Sequence, residues 1–138
     1  MSIRSALCLS LVLALAGCDR VSRVRECRKL SGLVNPKLTS IEALAKKGSP
    51  AGYRAVAGNY GALARELRQS VFASSSVKML AGEYAGMLDS VVPTVSSYAT
   101  ALEGQNARAQ DDARHSLERL SRQEHTLVAR IDAYCLAP

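Results

Sequence analysis

The fourth quarter of the sequence gathers Asp111, His115, Glu118, Arg122 and His125 at spacings that share one face of a helix. His115 and Glu118, three residues apart, could act as neighbouring metal ligands. Arg122 stands among them, however, and no second His-bearing helix is available to complete a coordination sphere. Metal sites in helical bundles also project inward, whereas this set lies opposite the apolar stripe, so the reading is a solvated charged face. The same geometry puts both histidines on the wrong side for axial haem ligation. Glu124 is the one acid on an apolar stripe, expected to reach the bundle edge or to pair with an Arg. No G-x-S-x-G motif, Gly-rich phosphate loop or pair of carboxylates on an apolar wall accompanies it. No enzymatic activity, cofactor or metal is therefore expected.

Of the four cysteines, Cys8 lies in an apolar N-terminal run and Cys18 ends it. The remaining pair, Cys27 and Cys135, has neither CxxC nor CxxCH spacing and no nearby His to make a zinc site. In an oxidising compartment they are expected to form one disulfide, closing a loop of 135 − 27 = 108 residues.

The elements that must position these residues all read as helix, in an all-α fold. In residues 19–47 the stripe is Val24, Cys27, Ser31, Val34, Leu38, Ile41 and Ala45, with Asn35-Pro36 marking a kink or a stop and restart. The second helix opens at Ser49-Pro50 and carries Tyr53, Val56, Tyr60, Leu63, Leu67 and Val71. A third, capped by Ser76 and kinked at Pro93, carries Val77, Leu80, Tyr84, Leu88, Val91, Val95, Tyr98 and Leu102. The fourth follows the turn at Gly104 and carries Ala113, Leu117, Leu120, Glu124, Leu127, Ile131 and Tyr134. Helices joined by loops of about two to four residues reverse at each loop, which predicts an up-down-up-down four-helix bundle. Its N- and C-terminal ends then lie together, with Cys27 and Cys135 facing each other. Met79 and Met87 read as core filler.

The first eighteen residues carry a separate message. Arg4 precedes an apolar run from Ala6 to Ala16 that is too short for a permanent membrane span, the pattern of a signal peptide over residues 1–17. Leu15-Ala16-Gly17-Cys18 closely resembles the lipobox of bacterial lipoproteins. That resemblance implies cleavage before Cys18, a diacylglycerol thioether on its sulfur and acylation of the new amino group by a fatty acid such as palmitate. Two acyl signals on one residue give stable anchoring, which puts the protein on the exported side of the bacterial cell envelope. Asp19 resembles an inner-membrane retention signal of enteric bacteria, but sorting rules vary, so the choice of inner or outer membrane stays open.

Composition agrees with one exported helical domain over residues 19–138. The 138-residue chain is 48% hydrophobic, too apolar for disorder, and only 4% aromatic, which leaves little to stack on nucleic-acid bases. Its net charge of +6 is concentrated at Arg20, Arg23, Arg25, Arg28 and Lys29, opposed there only by Glu26. Residues 18–29 thus read as a lipidated basic tether running into the first helix, close to anionic headgroups, with a solvated tether as the alternative. Nucleic acid is not an expected partner. Opposite the apolar stripes lie small residues, Ala51, Ala55, Gly58 and Ala62 on the second helix and Gly82, Gly86 and Ser97 on the third. They form either a face for a helix of an envelope protein or a second copy, or a composition bias. The expectation is a non-enzymatic scaffold or partner-binding lipoprotein, with a small-ligand or metal carrier as the alternative.

Overall fold

The computed structural model describes the backbone of residues 3–137 and the side chains from Arg20 to Ala137. Its helices are α1 (Ile3–Ala45), α2 (Pro50–Gln69), α3 (Ser75–Glu103) and α4 (Ala107–Cys135), with no strand among the described residues. They pack as the expected up-down-up-down bundle, and Cys27 and Cys135 are bonded with Cα atoms 5.9 Å apart. The signal segment and the acylation proposed at Cys18 lie outside the described side chains.

Local chemistry sets each helix boundary. Gly48, at φ +64°, takes the left-handed conformation that ends α1, and its amide reaches the Ala45 carbonyl at 3.0 Å. Ser49 then caps α2, accepting from the Gly52 amide at 3.1 Å, with Pro50 in the first helical position. The cap of α3 is Ser74 rather than the expected Ser76. From Ser74 the hydroxyl reaches the Val77 amide, the third residue of the helix, which places Ser75 and Ser76 inside the first turn. Asn106 caps α4 by accepting from the Ala109 amide at 3.0 Å.

Neither proline stops its helix. α1 runs through Pro36, and Asn35 does not cap a restart; its carbonyl accepts from the Thr39 hydroxyl at 3.1 Å. Pro36 and Gly32, whose carbonyl loses a donor, are both exposed, so water can serve the freed acceptor. Pro93 and Asp89 repeat this arrangement on the exposed face of α3.

The core centres on α2 and α3, where Leu63, Val77 and Leu88 are wholly buried. Burying a side chain of this size contributes about 1.5–3 kcal/mol. The α3 stripe is buried as expected from Val77 to Tyr98, while Leu102 is half-buried. The α1 and α2 stripes slip at their basal ends. α2 stops at Gln69, so the helical register no longer governs position 71; Val71 is 80% exposed and Phe72 takes the core position. On α1, Leu30 is buried where Ser31 was expected. Ion pairs Arg54–Glu103 and Arg68–Asp89 join α2 to α3, and Arg130–Glu83 joins α4 to α3. α1 packs chiefly on α2 and α4 chiefly on α3, so α1 and α4 approach each other little and leave a groove between them.

Candidate functional site

Two regions bring functional groups together: the disulfide-bonded end of the bundle and the groove above it. At the end, the first described turns of α1 meet the α2–α3 loop and the last turn of α4. Glu26, buried although charged, accepts from the Ala73 amide at 2.7 Å and so ties α1 to the loop. Lys29 donates to the Val71 carbonyl and lies 5.4 Å from the Phe72 ring centroid. Arg23 donates to the Ala137 carbonyl and lies 6.0 Å from the Tyr134 ring, whose hydroxyl is 3.0 Å from Ser74 Oγ. Two of the five basic residues assigned to the tether are therefore part of the folded end. Arg20, Arg25 and Arg28 remain exposed. Three exposed aliphatic side chains stand at the same end: Val21 on α1, Val71 on the loop and Leu136 after α4.

The groove lies between α1 and α4, with a volume of about 530 Å³. Val24, Leu30 and Val34 form one wall, Val128 and Ile131 the other, and Tyr84 of α3 the floor. At its inner end Oε1 of Glu124 accepts a 2.8 Å hydrogen bond from the Tyr84 hydroxyl. This replaces the expected Arg partner, because the helical register points Glu124 at α3 rather than at the bundle edge. Burial, reinforced by the Glu124 carboxylate, raises the pKa of Tyr84 far above the ordinary value for a phenol. The same two causes, in the same order, raise that of Tyr60. Both phenols stay protonated around a carboxylate that has no ion pair among the described residues.

The remaining sequence candidates are dispersed or exposed. On α4, His115 is 71% exposed with Nδ1 3.6 Å from Glu118, while Asp111 bonds to Arg114. No three metal-ligating side chains gather among the described residues. Of the small-residue faces, Ala51, Gly58, Gly82, Gly86 and Ser97 are exposed, and Ala55 and Ala62 are half-buried. A methyl group added at Gly58, Gly82 or Gly86 would meet nothing within 4 Å, so these faces are open.

Sequence reasoning missed Glu26, which lies one turn before buried Leu30 but as an acid does not mark an apolar stripe, and the Tyr84–Glu124 bond, which needs two helices in register. An acid on an apolar stripe facing a stripe tyrosine was the available clue. No helix among the described residues is long and apolar enough to cross a membrane. No protein-family model, curated protein or solved structure matches the chain.

Proposed function

We propose that the protein is a lipid-anchored lipoprotein of the bacterial cell envelope, a non-enzymatic helical scaffold or partner-binding module seated on its membrane by the disulfide-bonded end. The supporting observation is the composition of that end. Val21, Val71 and Leu136 are 69%, 80% and 79% exposed, and Arg20, Arg25 and Arg28 are exposed beside them. Aliphatic tips can enter the headgroup boundary, and each basic residue near an anionic surface adds about 1 kcal/mol of attraction. The lipobox-like Cys18 lies two residues before Arg20, so an acyl anchor there would hold this end at the bilayer. Because Arg23 and Lys29 are engaged within the fold, Arg20, Arg25 and Arg28 carry the headgroup contacts.

Mass spectrometry of the protein extracted from its native envelope tests the anchor. A chain beginning at Cys18 and carrying a diacylglycerol and an N-acyl group is expected, and Cys18→Ala should retain residues 1–17 without lipid. Recovery of an unmodified Cys18 would remove the anchor. The groove favours a second reading, a carrier of a small ligand. A lined volume of about 530 Å³ falls within the range of about 300–1,000 Å³ usual for small-molecule sites.

A further inference from the structure

The groove is apolar along most of its length and charged at identifiable points. Aliphatic side chains of α1 and α4 form its walls, and its outer end lies at the disulfide and Leu136. Arg28 and Asp132 also line it, but both are exposed, so water solvates their charges. Glu124 is different. It is half-buried at the inner end, its side chain receives one hydrogen bond, from Tyr84, and no Lys, Arg or His forms an ion pair with it among the described residues. A carboxylate held against apolar walls without a counter-ion favours a ligand that supplies one. The Tyr84 hydroxyl fixes one carboxylate oxygen and leaves the other for the ligand.

Size is compatible with such a ligand: a groove of about 530 Å³ lies within the range of about 300–1,000 Å³ usual for small-molecule sites, and its aliphatic walls suit a slender aliphatic body.

We propose that the α1–α4 groove binds an amphiphilic amine, its ammonium group on Glu124 and its aliphatic body along Val34, Ile131 and Val24 toward the disulfide. This assignment rests on the carrier reading and names its ligand class. Tyr84 acts as a positioning residue, orienting the carboxylate rather than supplying charge.

The test is titration of the full chain with octylamine, octyltrimethylammonium, octanol and octanoate, read by calorimetry and by NMR shifts of the Val34 and Ile131 methyl groups. Both cations should bind at least tenfold more tightly than octanoate and perturb those methyls. Glu124→Gln, which keeps an oxygen acceptor for Tyr84, should lower cation affinity to that of octanol and leave octanol binding unchanged. Val34→Trp, which fills the wall without touching the charge, should weaken cations and octanol together and serves as the control should Glu124→Gln lose its fold. Tight octanoate binding, or an undiminished cation preference in folded Glu124→Gln, overturns the amine assignment while leaving a carrier. Failure of all four probes overturns the carrier reading as well. Cation binding seen in Cys18→Ser but not in the lipidated protein would make the protein's own acyl chain the occupant and overturn the proposal.

Discussion

The Tyr84 hydroxyl donates to Oε1 of Glu124 across 2.8 Å, so a buried residue of α3 holds the one half-buried acid of α4 at the inner end of the α1–α4 groove. The bond spans the packed α3–α4 interface and fixes the direction in which the carboxylate faces. It also makes the bundle sensitive to alkali. Tyr84 and Tyr60 both have folded-state pKa values raised above the ordinary 10.0, first by burial and then by Glu124.

The sign of that sensitivity follows from linkage. Stability from keeping these phenols neutral is fully present below the unfolded-state value near 10 and is lost as pH rises from there through the folded values. The melting temperature should therefore fall above pH ~10. The fall should be shallower in Tyr60→Phe/Tyr84→Phe, as thermal melts across the alkaline range would reveal. An equally steep fall in the double variant would contradict the assignment.

Glu26 holds the α2–α3 loop to α1 by accepting from the Ala73 amide. Glu26→Ala leaves that donor without its partner and should cost about 1–3 kcal/mol, with faster hydrogen exchange at Ala73. Arg25→Ala, at an exposed neighbour, should remain within about 0.5 kcal/mol of wild type. Urea unfolding of the two variants separates the outcomes, and equal stabilities would deny Glu26 this role.

Phe72 and Val71 make the sharpest adjacent contrast, since Phe72 is 7% exposed and Val71 80%. Phe72→Ala should cost about 3–5 kcal/mol, while Val71→Ser should lie within about 0.5 kcal/mol of wild type. The reverse order in chemical denaturation would mean that α2 continues in helical register through position 71.

That contrast also marks what was legible in the sequence. Inside the helices, three-and-four spacing identified the α3 stripe from Val77 to Tyr98, and the positions of Cys27 and Cys135 indicated the shared end. At the basal end the reading slipped by one or two residues, at Leu30, Phe72 and Ser74. At Phe72 and Ser74 the chain has left helical register, whereas Leu30 stays within α1, where tertiary contacts decide which side of the helix is buried. The groove was not legible, because matching stripes do not reveal that α1 and α4 remain apart along a packed bundle.

The Cys27–Cys135 bond links the two helices that approach each other little. In the chain-entropy model, a disulfide closing a loop of this size contributes about 4–5 kcal/mol. Reduction should therefore lower the urea midpoint sharply, and it should increase proteolysis of α1 before the α2–α3 hairpin is attacked. An unchanged midpoint under reducing conditions would show that α1 is held by α2 alone.

The most direct test of the membrane-seated bundle uses the absence of tryptophan from the chain. A single Val71→Trp reporter in protein carrying the proposed acyl anchor is reconstituted into anionic vesicles containing brominated phospholipid, with Arg108→Trp as the distal control. Strong quenching at position 71, weakened by charge-neutral replacements of Arg20, Arg25 and Arg28, and little quenching at position 108 are predicted. Equal quenching at both positions would contradict the claim that the disulfide-bonded end faces the membrane.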